Sequence, residues 1–132
     1  AILRSAEAAG VHGVIIPKRN SVTLNYTVAK TSAGAIEYVP VVKVANLPAA
    51  IDELKSRGVW IFGADMDGTD YTALDYSGSI ALVIGSEGKG IGRLVREKCD
   101  FIASLPMRGK INSLNASVAA GILMFEAAKH RN

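Results

Sequence analysis

The sequence predicts an α/β fold in which a parallel sheet is covered by helices on both faces. Three observations carry this. Short apolar runs alternate with helix-like stretches along all 132 residues, the order expected of a parallel sheet with crossover helices. The run at 80–84 is apolar throughout, as a strand buried on both sides must be. The composition, 49% hydrophobic and 20% charged, suits one folded domain rather than a disordered chain. Aromatics make up only 6%, so the core is expected to be Val, Ile, Leu and Ala.

The elements follow in order. Ile2, Leu3, Ala6 and Ala9 recur at helical spacing, and Gly10 supplies a stop, so residues 1–9 read as a helix. Residues 12–16 form a short apolar strand closed by Pro17. A helix is expected over 25–35 despite Gly34, and a strand over 41–44. Asn46 looks like the N-cap of a helix over 47–57, with Pro48 in its first turn and Gly58 ending it. A strand over 59–64 runs into a polar turn, 65–70, that carries Gly68. The strand at 80–84 is followed by GSEGKG, then a helix over 91–98, a strand over 101–105 and a loop over 106–114. The last helix spans 115–130, with Ser113 or Asn115 as its cap. That helix is apolar nearly all round, so the core or a second subunit must cover most of it. A dimer interface is the preferred reading. Its apolar stretch is too short to span a bilayer, which needs about 20 residues.

Charge narrows the partners only a little. Fifteen Lys and Arg against twelve Asp and Glu leave a net charge of +3, which permits an RNA partner without demanding one. Arg93, Arg96 and Lys98 form one basic cluster, and Lys18 and Arg19 another. The single Cys99 excludes an internal disulfide, and a reducing cytoplasm is the simplest compartment. Cys99 has no neighbouring His and reads as a structural thiol. His12 and His130 lack partners at metal-ligand spacing, so no metal site is expected.

Three stretches carry chemistry. The first, GSEGKGIG at 85–92, follows a buried strand and opens a helix, as a phosphate loop would. It lacks GK[ST] and the GxGxxG spacing, and Glu87 sits where a phosphate would approach. A carboxylate there suits a hydroxyl or a cation better. The second is the long small-and-polar loop ending in Ser113, Leu114 and Asn115. Capping accounts for Ser113 or Asn115 singly, but not for the loop before them; loops at strand ends are where α/β folds bind ligands. In the third, KTSAGA at 30–35, small residues permit either a close backbone approach to a ligand or tight helix packing. Arg4 on the first helix would, on spacing alone, be solvated surface.

The blocks AILRSAEAAG, ALVIGSEGKGI and LPMRGKINSLNASVAAGILMFE, in this order, resemble the three motifs of the SpoU group of the SPOUT methyltransferases, also called the TrmH family. The likeness covers essentially the whole chain. Within the group, HGVIIPKRNSV and VWIFGAD are most similar to the RlmB type, which methylates a guanosine ribose 2′-hydroxyl of 23S ribosomal RNA. The tRNA guanosine enzymes of the TrmH type are the nearer rival.

The resemblance implies a C-terminal deep trefoil knot, although chain threading is rare among proteins. It implies S-adenosylmethionine as cofactor, structured RNA as substrate and a homodimer whose active site draws on both subunits. Gly85, Leu105 and Leu114 match positions whose backbone holds the cofactor. Thr31, Ala33, Gly34, Ile84, Met107 and Asn115 are further expected contacts. Arg4, Glu87, Ser113 and Asn115 match the catalytic and RNA-handling positions. The implied reaction is in-line attack of a ribose 2′-oxygen on the sulfonium methyl, where positioning supplies much of the rate. A guanidinium rarely gives up its proton, so Arg4 is expected to pair with a phosphate and orient the ribose. The 132 residues are expected to be one catalytic domain, without the family's first strand and its motif Asn, and without the N-terminal RNA-binding domain of RlmB-type members.

Two other classes share the pattern. A flavodoxin-like or nucleotide-binding module would cradle phosphate at 85–90, against which Glu87 and the missing GK[ST] argue. An RNA-binding relative without activity would keep the fold, against which Arg4, Glu87, Ser113 and Asn115 argue.

Overall fold

The structure, a computed structural model, describes residues 2–17, 39–85, 90–109 and 115–131. Helix α1 (Ile2–Ala9) turns Leu3 and Ala6 into the core. It ends in a paired cap: the Val11 amide donates to the Ala6 carbonyl and the Gly10 amide to that of Glu7, with Gly10 at φ +79°. Strand β1 (Val14–Pro17) lies parallel to β2 (Val41–Val44), Val14 opposite Val41. In α2 (Leu47–Ser56) the Asn46 side chain accepts from the Ala49 amide at 3.0 Å. Its C-terminus repeats the α1 cap, with Val59 donating to Leu54 and Gly58 to Lys55. The helix expected over 25–35 lies outside the described residues.

Strand β3 (Trp60–Asp70) is central, with β4 (Ile80–Val83) on one side and β5 (Phe101–Ser104) on the other, all parallel. Among the described residues the strands thus form a pair, β1–β2, and a triple, β4–β3–β5. Both carry the parallel pairing expected of one sheet. Helix α4 (Ala116–Ala128) packs on α1 through Ala6, Ala120 and Met124, with Val14 of β1 and Leu82 of β4 against the same cluster.

Neighbouring residues on a strand point to opposite faces, and β3 shows what each face meets. Phe62 is buried against Tyr76 and Ala127 of α4, its ring centroid 4.8 Å from that of Tyr76. Tyr76 donates to the Tyr71 carbonyl at 2.6 Å. Burial, with Glu126 and Asp70 adding, pushes its phenol up to about 12. Gly63 faces the other way: a Cβ there would stand 2.6 Å from Cys99 Sγ and 2.8 Å from Ile91 Cδ1. On that side α2 is tied to α3 (Arg93–Lys98) by the Lys98 ammonium, 2.9 Å from Asp52. Helices therefore cover both faces of the triple.

Two sequence expectations need correction. The helix expected from Ile91 begins at Arg93, because Gly92 caps it at φ +80°, outside the helical region. The strand expected to stop at Ala64 continues to Asp70, and 65–70 is not simply a turn. Ala64 and Thr69 both stand opposite Ala103, so residues 65–68 bulge out of a ladder that then resumes. The Ser104 hydroxyl stitches this excursion: it donates to the Asp65 carbonyl at 2.6 Å and accepts from the Gly68 amide at 2.7 Å. A side chain at 68 would overlap the Ile102 carbonyl. Asp67 takes a left-handed φ of 59°.

Candidate functional site

In a parallel sheet the strand C-termini share one edge, the usual place for a ligand. Here β3 delivers the 65–68 excursion to that edge, β4 delivers Ile84 and Gly85, and β5 delivers Leu105 and Met107. Gly85 and Gly90, the two described ends of the glycine-rich loop, meet backbone to backbone. A Cβ on Gly85 would overlap the Gly90 carbonyl, so only glycine permits this closure. The Asp65 carboxylate stands beside Gly90, its Oδ1 3.4 Å from where a Cβ would be. Leu105 is partly buried and Met107 is 37% exposed.

Ile84 also packs against the Ala6–Ala120–Met124 cluster. This brings the end of β4 under the α1–α4 pair. Arg4 is exposed on α1, and Asn115 caps α4, its side chain accepting from the Ser117 amide at 2.8 Å. The fold thus draws together the elements that carry Arg4, Ile84, Gly85 and Asn115. Thr31, Ala33, Gly34, Glu87, Ser113 and Leu114 lie outside the described residues, as do central parts of the loops expected to form the knot.

Sequence reasoning misses three residues at this edge. In one dimension Asp65 is only part of a polar turn, Arg96 only part of a basic cluster, and Ser104 an ordinary strand residue. In the structure Arg96 Nη1 lies 2.8 Å from Asp65 Oδ2 and donates to the Met66 carbonyl at 3.2 Å. A polar stretch at a strand's C-terminal end is the signal that could have found them. Cys99 agrees with its structural reading: its thiol donates to the Val95 carbonyl at 3.3 Å. Burial, then the Asp100 charge, pushes its pKa up.

The larger open groove among the described residues is elsewhere. It measures about 510 Å³ between α1 and α4 and is lined by Ser5, Ser117, Val118, Gly121, Ile122 and Phe125. Val118 and Phe125 are half exposed. The inner side of α4 is core, so the monomer leaves its outer apolar side open. No helix among the described residues is long and apolar enough to cross a membrane.

Comparison with known proteins agrees with this architecture. The chain is 56% identical over 132 residues to YacO of Bacillus subtilis strain 168, a protein named for the TrmH family of tRNA/rRNA methyltransferases. That match takes in 99% of this chain and 53% of the relative. A Staphylococcus aureus (strain COL) protein named for the same family is 58% identical over the same shares. The chain therefore spans about half the length of the curated relatives it matches. Among solved structures, the SpoU methyltransferase AviRb from Streptomyces viridochromogenes, in complex with AdoMet, superposes with a TM-score of 0.90 at 31% identity. It covers 98% of this chain and 54% of that one. The A. aeolicus TrmH/SpoU tRNA modifying enzyme gives 0.88 at 29% identity, covering 98% and 66%. The model of the SpoU rRNA methylase family matches residues 1–125, and on this extent of agreement the chain belongs to that family.

Proposed function

We propose that this chain is the catalytic part of an S-adenosylmethionine-dependent RNA ribose 2′-O-methyltransferase that acts on a guanosine of 23S ribosomal RNA as a homodimer. The observation that carries the reading is the closure of Gly85 on Gly90 at the strand ends, beneath the helix pair that bears Arg4 and Asn115. The residues present fit the cofactor. Ile84 and Leu105 offer apolar walls, and the tight glycine backbone offers amides, a combination that selects a flat base. The Asp65 carboxylate beside Gly90 would repel a phosphate but suits a cationic sulfonium. This disfavours the nucleotide-phosphate module. AviRb, crystallised with AdoMet, supports the same choice.

When bound, the cofactor supplies an electrophilic methyl. The protein's share is to hold the ribose hydroxyl in line and keep the site ordered. Arg4 pairs with a backbone phosphate and orients the ribose; Asn115, with Glu87 and Ser113, lines the reacting position. Thr31, Ala33, Gly34, Met107 and Leu114 are assigned to the cofactor side by the family motifs. Pairing between copies through the α1–α4 groove would set the last helix of one subunit beside the site of the other.

Titration calorimetry with S-adenosylmethionine and, separately, ATP tests the cofactor: binding of the first alone is expected, and binding of ATP alone would overturn the reading. Methyl transfer to 23S ribosomal RNA should exceed transfer to tRNA; the reverse would assign the tRNA substrate. Arg4→Lys should slow transfer about tenfold or more, because a point charge cannot reproduce bidentate phosphate pairing. Near-normal turnover in that variant would show that Arg4 does not orient the ribose through a phosphate.

A further inference from the structure

The excursion at 65–68 touches every wall of the candidate cofactor edge, yet none of the family motifs includes it. Its amide and carbonyl ends are stitched by Ser104, the residue just before Leu105. Its carboxylate faces Gly90 on the far limb of the glycine loop. Arg96 of α3 holds both that carboxylate, at 2.8 Å, and the Met66 carbonyl, at 3.2 Å. The Met66 amide donates to the other carboxylate oxygen at 2.8 Å, so the Asp65 side chain has one rotamer that satisfies all its partners.

We infer that Asp65, clamped by Arg96, is a positioning residue that sets where the Gly90–Ile91 limb stands against Gly85, and so the shape of the cofactor pocket. This rests on the proposed methyltransferase function. The clamp is chemically suited to the task. The Arg fork reaches two acceptors at once, which a single point charge does not do. Exposure of 37% for the Arg96 side chain and 25% for that of Asp65 leaves the pair partly screened, so it adds little to global stability. Its effect is local: it fixes an excursion that lacks ladder hydrogen bonds of its own, and the excursion in turn buttresses the loop. A merely structural pair would move the melting temperature and leave ligand affinity alone; a clamp should do the opposite.

The test uses the full chain and S-adenosylmethionine in titration calorimetry, with amide hydrogen exchange on the ligand-free protein. Arg96→Gln and Asp65→Asn should each weaken binding roughly threefold to tenfold with little change in melting temperature. The double variant should be no weaker than the poorer single, and Arg96→Lys should recover part of the loss. Arg57→Gln, which breaks the exposed pair with Glu53 on α2, should bind like the wild type. In Arg96→Gln, exchange should quicken at 65–68 and 90–92 without cofactor. Wild-type affinity in Arg96→Gln, additive losses, or unchanged exchange would each overturn the clamp. A wild-type chain with no affinity for S-adenosylmethionine would instead overturn the methyltransferase function, and the exchange arm would still judge the clamp.

Discussion

Asn115 holds two roles in one side chain. Its Oδ1 accepts from the Ser117 amide, satisfying one of the unpaired donors at the start of α4, while its position at the strand-end edge recommends it for the reaction. Substitution separates the two. Asn115→Ala should lower stability by about 1 kcal/mol, read as a fall in denaturation midpoint, and should also impair methyl transfer. Asn115→Asp keeps a capping oxygen and adds a charge that a helix N-terminus favours, so stability should hold while transfer still falls. Full activity in the Asp variant would reduce Asn115 to a cap. At this scale much is readable in advance. The caps at Asn46 and Asn115 follow from residue type beside an apolar helix. The pairing of Asp65 with Arg96 joins residues 31 positions apart, and only the folded chain reveals it.

At the scale of elements, the telling position is Gly63. Residues on β3 alternate between two helix layers, and here α3 comes so close that no Cβ fits between the strand, Cys99 and Ile91. Gly63→Ala should therefore overpack this layer and cost about 1–3 kcal/mol, seen as a lower urea midpoint with an unchanged slope. Relief by a second change, Cys99→Ala, would confirm that the strain is steric. An unchanged midpoint would mean that α3 can shift outward freely. Period and punctuation make most elements legible: Gly10 and Gly58 end their helices at left-handed φ values, as their place after apolar-periodic runs suggests. The excursion in β3 is not legible. A polar DMDG stretch looks like a turn in one dimension, and the ladder resumes after it only because Ser104 on another strand spans the gap.

For the whole molecule, the consequential surface is the groove between α1 and α4. Val118, Ile122 and Phe125 are spaced as one stripe along a helix, opposite the core-facing Ala120, Leu123 and Ala127. Contiguous exposed apolar surface of this kind marks an interaction site, and a second copy is the proposed occupant. Phe125→Glu should convert a dimer to a monomer in sedimentation experiments and lower methyl transfer with it. The wild-type melting temperature should rise with protein concentration, by mass action, and the variant's should not. A wild-type chain that sediments as a monomer at micromolar concentration would remove the dimer from the proposal.

The linear order of apolar runs, glycines and capping residues is enough to set the α/β class, the parallel pairing and the identity of the glycine-rich loop, because each depends on patterns within about a dozen residues. It is also enough to mark α4 as a helix with too little polar surface. Which side of α4 meets the core, how Gly85 closes on Gly90, and which cation holds Asp65 are decided only by the tertiary structure. Each is a contact between segments far apart in the chain or between faces of different elements, and its energy depends on distances that local sequence does not encode.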